Sequence, residues 1–440
     1  MPLRNNRLTD DEYKQQFGDI HPPFESHSAA LVEANRCLFC YDAPCTKSCP
    51  TSINVPKFIK QITTDNMKGA AYTILTANIM GGGCSRVCPV EKLCEGACVF
   101  NLMEEEAIPI AKLQRYATDK VIREKWPLFE RKQSTGKKVA IVGAGPAGLS
   151  CAHALSREGV DVTIYEKESK GGGLMTYGIA AYKVTPQFCE EEVDYILSLG
   201  GIEILYNQEL GKDITLDTLQ NNYDAVYLAF GVGLARQLEI PGEQLSGVVN
   251  AINFIYDIRT NNYPAIPVGD MVAVIGMGMT AIDAATQAKR LGAKEVTLVY
   301  RRTQQEMPCT EAELNIAKLD GCKIIWLAAP KEILGENGKV TRLVCHVMKL
   351  EASANGRPTP VITDEIITLP VDMVIKATGQ MPFEQLVHSN HLENDKGKIE
   401  SVTNIKGVFA GGDCVNGGKE VVDAIQAGKE GAELILEYLF

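Results

Sequence analysis

The chain has 440 residues, of which 45% are hydrophobic and 22% charged, with a net charge of −11. At roughly 100–200 residues per domain this length implies about three domains, and the acidic balance argues against a nucleic acid or anionic membrane as partner, because phosphate binding needs a basic surface. From the polar N-terminus and the absence of any run near ~18 apolar residues a cytoplasmic location is expected, where fourteen cysteines point to metal or catalysis and not to a disulfide framework.

From about Ser28 to Trp126 the texture is helical, broken by cysteine-rich loops. Pro56 and Pro109 are placed to open helices, since proline tolerates the first turn, and Ile110, Leu113, Tyr116 and Ala117 recur at helical spacing. Eight cysteines fall in two runs: Cys37, Cys40, Cys45 and Cys49, followed by Pro50, then Cys84, Cys88, Cys94 and Cys98. The first run is close to that of bacterial ferredoxins, in which the fourth cysteine crosses to a second cluster. Such thiolate sets suit zinc or iron–sulfur. Structural zinc usually takes paired CxxC knuckles, and neither a second CxxC nor a suitably spaced histidine is present, so iron–sulfur is the expectation. By counting alone, the eight cysteines fill two [4Fe-4S] clusters. The remaining six (Cys151, Cys189, Cys309, Cys322, Cys345, Cys414) stand singly and read as small buried hydrophobes.

Residues 127 to 136, polar with few apolar anchors, read as a linker. After Lys138, short β-branched runs alternate with helices, the pattern of parallel α/β sheets. Val139 to Val142 is a buried strand, the turn Gly143-Ala144-Gly145-Pro146-Ala147-Gly148 opens a helix, and Val162 to Tyr165 is the next strand. The three glycines supply a tight turn, close approach of a pyrophosphate and helix–strand packing, and Glu166 is placed for the ribose hydroxyls. The same succession recurs between Met271 and Tyr300, with Gly276, Gly278, Thr280 and Ala281 in the turn. Here the second strand ends in Arg301 and Arg302. Arginine holds a 2′-phosphate, which favours NADPH over NADH; the alternative is solvated surface charge. Clusters move single electrons and nicotinamides move hydrides, so a chain with both needs a flavin between them.

The turn Gly171-Gly172-Gly173-Leu174, the stretch Ala377-Thr378-Gly379 and the late segment Gly407 to Asp413 make this part resemble the two-dinucleotide flavoproteins, in which a nicotinamide domain is inserted between two halves of a flavin domain. The resemblance implies FAD at the first loop, with Leu174, Gly412 and Asp413 against it and Asp413 on its ribityl chain, and NADP(H) or NAD(H) at the second. No CxxC follows residue 100, so a dithiol relay is not expected. Arg36 to Cys40, Cys49-Pro50, Arg86 to Pro89 and Glu95 to Cys98 further resemble the N-terminal module shared by dihydropyrimidine dehydrogenase and the small subunit of glutamate synthase, and the likeness runs to the C-terminus. It implies that Cys37, Cys40, Cys45 and Cys98 hold one cluster, and that Cys49, Cys88, Cys94 and Gln114 hold the other, with Cys84 a bystander. Residue type alone makes Gln114 an exposed polar residue on an amphipathic helix. Where these relatives read IPxFRLP beside the flavin, this chain has Ile179 to Pro186, and Lys183 replaces an arginine's charge but not its planar fork.

The expected fold is α/β: a helical domain binding two [4Fe-4S] clusters over residues 1–136, a FAD-binding domain over 137–265 and 384–440, and a Rossmann-like NAD(P)H-binding domain over 266–383 inserted in it. The resemblance implies an oxidoreductase that passes electrons from NAD(P)H through FAD and both clusters to an FMN- and iron–sulfur-containing catalytic subunit, which reduces uracil or thymine to the 5,6-dihydropyrimidine. No acid, base or nucleophile is expected of this chain, because the cofactor carries the flavin half-reaction and no FMN barrel follows the flavin motif. The alternatives are the electron-input subunit of glutamate synthase and, from another class, a zinc-stabilised assembly module with a structural flavin.

Overall fold

The computed structural model describes residues 3–353, 357–394 and 397–440. It divides into two compact units: one of residues 20–176, 183–234 and 381–440, the other of 235–380 together with 177–182 and the chain before Ile20.

The first unit begins with a helical layer. Ser26 caps the helix His27–Arg36 by accepting from the Ala29 amide at 3.1 Å, and Asn54 caps Val55–Thr63, with Pro56 in its first turn. Helix Ile110–Arg123 starts directly after Pro109. Their apolar faces meet in a core that includes Phe58, Ile59, Ile62, Ile74, Leu113 and Ala117, all fully buried, with Cys37, Cys45, Cys49, Cys94 and Cys98 packed at its edge. Each large side chain buried there stabilises by about 1.5–3 kcal/mol, so the cysteine loops hang on a rigid frame. The linker forms neither helix nor strand, but the Lys132 and Thr135 amides donate to the Arg157 and Gly159 carbonyls.

The same unit holds a five-stranded parallel sheet in the order Val408–Ala410, Ala225–Leu228, Lys138–Val142, Asp161–Glu166, Ile202–Tyr206. Central parallel strands are covered on both faces and therefore read as unbroken apolar runs, as Val139 to Val142 do, none more than 4% exposed. The late strand Val408–Ala410 returns to this sheet in register with Val226 to Leu228, which brings Asp413 to the end where the glycine turn lies.

The second unit has its own five-stranded parallel sheet, ordered Val248–Asn250, Met373–Lys376, Met271–Ile275, Glu295–Tyr300, Lys323–Trp326, and a three-stranded antiparallel sheet of Ala328–Glu336, Lys339–Glu351 and Thr359–Pro370. The N-terminal tail belongs here. Arg7 is ion-paired with Asp270 and donates to the Val268 carbonyl, and Phe17 stacks on Tyr263 with ring centroids 4.1 Å apart. The α/β class, with a helical N-terminal domain and Rossmann-like sheets, is as the sequence predicts. Among the described residues no helix is long and apolar enough to cross a membrane.

Candidate functional site

The N-terminal cysteines gather in two groups. Cys37, Cys40, Cys45 and Cys98 line one cavity, closed otherwise by apolar side chains such as Val55, Ile59, Ile108 and Ile110. Burial raises the Cys37 thiol and pushes Cys45 up to about 11, and in both cases Cys98 adds to the rise. In the second group, a hydrogen bond to Cys84 and burial hold Cys88 well above the usual thiol range, with Cys94 and Cys49 close enough to raise it further. Burial likewise raises Cys94. Thiols raised in this way are poor nucleophiles and become thiolates only when a metal binds. The donor sets fit iron–sulfur clusters: four thiols around an apolar cavity in the first group, and three plus a further donor in the second.

Two residues stand where that further donor is needed. Gln114 is only 6% exposed, and its Nε2 donates to the Gly81 carbonyl at 2.6 Å, which leaves Oε1 as the atom a metal would take. Cys84 is as deeply buried, its Sγ accepting from Asn78 Nδ2 at 3.2 Å. Gln114 is buried because helix Ile110–Arg123 packs against helix Gly81–Val87, so the amphipathic-surface alternative for it does not hold.

Sequence reasoning missed what lies behind this second group. Glu192, on helix Pro186–Leu197, is completely buried and accepts from the Gly83 amide at 2.8 Å. A Cβ at Gly83 would lie 2.6 Å from Glu192 Oε2 and one at Gly82 2.6 Å from the Phe188 ring, so the glycine run admits the carboxylate. Arg86 lies 3.6 Å over the Phe188 ring, and its Nη2 donates to both Asp119 oxygens, at 2.9 Å each. Burial pushes Glu192 up to about 7, against the lowering by the Gly83 amide and Arg86. The only trace in the sequence is Gly81-Gly82-Gly83 ahead of Cys84.

The first dinucleotide turn divides its tasks among its glycines. Gly143 has φ +103°, and a Cβ there would lie 2.4 Å from the Ala229 carbonyl oxygen; at Gly148 it would lie 1.9 Å from that of Gly143. At Gly145 the nearest atom is Gly173 Cα at 3.8 Å, so that face is open. Pro146 and Ala147 make the first turn of the helix Pro146–Arg157, whose free amides and dipole favour a phosphate. Glu166 accepts from the Ala144 amide at 2.7 Å and the Glu168 amide at 2.9 Å; burial raises its pKa while these amides lower it. The carboxylate is thus braced against the turn, and its remaining lone pairs are what a ribose would meet. Leu174 opens the short helix Leu174–Tyr177 after the glycine triplet. Asp413 follows Gly412 (φ +77°) and accepts from the Lys419 amide at 3.2 Å, and its pKa is raised by burial.

The second turn repeats the plan. A Cβ at Gly276 would lie 2.4 Å from the Ala377 carbonyl oxygen, whereas one at Gly278 would meet nothing within 4 Å among the described residues. Ala281 is fully buried and Thr280 half-buried. The Thr378 hydroxyl donates to the Arg236 carbonyl at 3.0 Å, and Gly379 beyond it has open space. The two arginines differ: Arg301 is exposed, while Arg302 is half-buried and donates from Nε to the Pro358 carbonyl at 3.3 Å. Lys183 is 5% exposed in the first unit. The residues just before it are bound to the helix Met279–Arg290 of the second: Ala180 donates to Asp283 Oδ2 at 3.0 Å, the Tyr182 and Thr286 hydroxyls are 2.6 Å apart, and Arg290 lies 3.8 Å over the Tyr182 ring. The six scattered cysteines are all buried, and among the described residues none is joined in a disulfide.

Comparison with known proteins gives two family matches: dihydropyrimidine dehydrogenase domain II, 4Fe-4S cluster, over residues 13–126, and pyridine nucleotide-disulphide oxidoreductase over residues 137–428. The NAD-dependent dihydropyrimidine dehydrogenase subunit PreT of Escherichia coli K12 is 36% identical over 429 residues, covering 97% of this chain and 98% of that protein. The glutamate synthase [NADPH] small chain of the same organism is 34% identical over 450 residues, covering 97% and 94%. Among solved structures, Mycobacterium tuberculosis FprA in complex with NADPH matches 69% of this chain and 84% of its own, with a TM-score of 0.58 and 21% identity, a likeness of fold.

Proposed function

The chain belongs to the pyridine nucleotide-disulphide oxidoreductase family, in the group that carries an N-terminal 4Fe-4S domain, and we propose that it is the electron-input subunit of a pyrimidine-reducing enzyme. It is an NAD(P)-dependent flavin and iron–sulfur oxidoreductase related to both PreT and the glutamate synthase small chain. The finer reading is that it takes electrons from NAD(P)H and gives them to an FMN- and iron–sulfur-containing partner that reduces uracil or thymine. When bound, FAD would take a hydride as two electrons and the clusters would release them one at a time.

The chain's own residues position and insulate. Gly145 leaves room for the flavin pyrophosphate at a helix N-terminus, Glu166 and Asp413 present carboxylates to its sugar portions, and Lys183 stands for the usual arginine. Gly276, Gly278, Thr280, Ala281 and the stretch Ala377 to Gly379 shape the nicotinamide site, with Arg301 for a 2′-phosphate. Cys37, Cys40, Cys45 and Cys98 would hold one cluster; Cys49, Cys88, Cys94 and Gln114 the other. The observation that carries the pyrimidine reading is buried Gln114, whose Nε2 is committed to Gly81, since a glutamine ligand is what the resemblance to dihydropyrimidine dehydrogenase implies.

The test is reconstitution. The purified chain with NAD(P)H should reduce a dye but leave uracil intact, and adding an FMN-containing pyrimidine-reducing subunit should start uracil consumption. Consumption of uracil by the chain alone would refute this division of labour. The identity to glutamate synthase small chains supports a second reading, which glutamate formation with an FMN-containing large subunit, and no gain with the pyrimidine enzyme, would establish in its place.

A further inference from the structure

The two cysteine groups differ in their surroundings. Around the second, Gly81 to Arg86 are all buried. Beside Cys37, Cys40 and Cys98 the chain instead puts large apolar side chains into solvent: Leu38 is 53% exposed, Tyr41 105%, Leu102 87% and Met103 56%. Next to Tyr41 runs a groove of about 580 Å³, walled by the loop from Phe39 to Lys47 and by the start of helix Val55–Thr63. Lys47, Lys57 and Lys60 line it, with Asp42 as the carboxylate on its wall. All three lysines are exposed, and Lys60 lies 5.0 Å over the Phe39 ring. None of the three joins an ion pair among the described residues, whereas Lys125, Lys137 and Lys170 elsewhere on the chain do.

On a chain of net charge −11, three lysines left without carboxylate partners run against the overall field and create a local attraction for negative charge. The groove is continuous with an exposed aromatic and lies against Cys40. An apolar centre with a charged rim is the anatomy of a transient protein interface. The loop is also held in an unusual shape, with Phe39 at φ +50° and Ala43 at φ +35°, a conformation that costs on the order of 1 kcal/mol or more per residue and persists where shape is needed.

We infer that this face is the docking surface for an electron-accepting protein whose own redox centre is ringed by carboxylates. Tyr41 and Leu38 form the apolar contact, and Lys47, Lys57 and Lys60 choose the partner by charge. The inference rests on the reading that this chain hands electrons singly to another protein: one electron leaves per encounter, reducing the acceptor by one, and no proton or bond changes hands.

The probe is oxidised cytochrome c with its lysines succinylated, which makes a one-electron carrier acidic. Calorimetry on the cofactor-loaded protein without nicotinamide reads docking separately from turnover. Binding is expected at low salt although both proteins are acidic, and it should weaken as salt shortens the Debye length. Lys47→Glu with Lys57→Glu should lower the affinity on the order of tenfold or more, while Lys331→Glu with Lys339→Glu, an equal change of net charge at exposed positions of the other unit, should lower it far less. Equal weakening by both pairs, or no weakening by the first, would overturn the inference. Reduction of an uncharged dye by NAD(P)H is measured alongside on the wild-type protein. Its failure would count against the electron-transfer reading and leave the docking result standing by itself.

Discussion

The eighth cluster ligand is decided by comparing Cys84→Ala, Gln114→Leu and Cys94→Ser. Cys84→Ala removes a sulfur that is 3% exposed and strands Asn78 Nδ2, on a residue 0% exposed, which donates to it at 3.2 Å. Leaving a buried donor unsatisfied costs about 1–3 kcal/mol, and the lost sulfur packing adds about 1 kcal/mol. The variant should therefore be measurably less stable, by roughly 2–4 kcal/mol. Its iron, however, should remain at about eight per chain, the content of two four-iron clusters. Gln114→Leu keeps the volume of the side chain but loses both Oε1 and the 2.6 Å bond to Gly81, and it should fall to about four irons, as should Cys94→Ser. Iron analysis of anaerobically purified proteins, with electron paramagnetic resonance of the reduced samples, separates stability from ligation. If Cys84→Ala loses as much iron as Cys94→Ser while Gln114→Leu keeps its full content, Cys84 is the ligand and the argument from Gln114 fails.

Arg301→Ala should raise the apparent KM for NADPH about tenfold, equivalent to about 1.4 kcal/mol, and leave NADH nearly unchanged, whereas Arg302→Ala should act mainly through its Pro358 contact; a wild-type preference for NADH in stopped-flow flavin reduction would show that neither arginine reads a 2′-phosphate. Gly145→Ala should keep the fold and bind less FAD, because its Cβ meets only Gly173 Cα at 3.8 Å, while Gly148→Ala should fail to fold stably with a Cβ 1.9 Å from a backbone oxygen; equal stability and flavin content in the two would contradict the division of tasks. Glu192 titrates near 7 in the folded chain against 4.5 for a free side chain, so between those values the folded protein keeps a proton that the unfolded one has lost, and stability falls with rising pH by up to about 3 kcal/mol before levelling off. Glu192→Gln should lack that slope, and a wild-type-to-variant difference in denaturant midpoint that is the same at about pH 5 and about pH 8 would refute the assignment.

Features carried by local pattern were legible in the sequence. The strands around Val139 and Val272 are unbroken apolar runs because both faces are covered, and the turns after them need glycine at Gly143 and Gly276, where a backbone oxygen leaves no room for a Cβ. The grouping of Cys37, Cys40 and Cys45 with distant Cys98 is implied by family likeness alone; in the structure these four line one cavity. Contacts made across the chain were not legible. Gly81-Gly82-Gly83 marks a close approach but not that Glu192, more than a hundred residues later, makes it, and the tail carrying Arg7 and Phe17 has no local mark of its partners Asp270 and Tyr263. The stretch before Lys183 shows the difference most clearly. Compared with its relatives it looks like a weakened flavin contact, since lysine lacks arginine's fork. In the structure, Ala180 and Tyr182 are instead tied to Asp283 and Thr286 on the helix that opens from the nicotinamide turn. Substitutions between Ile179 and Tyr182 are therefore constrained first by the fit to that helix.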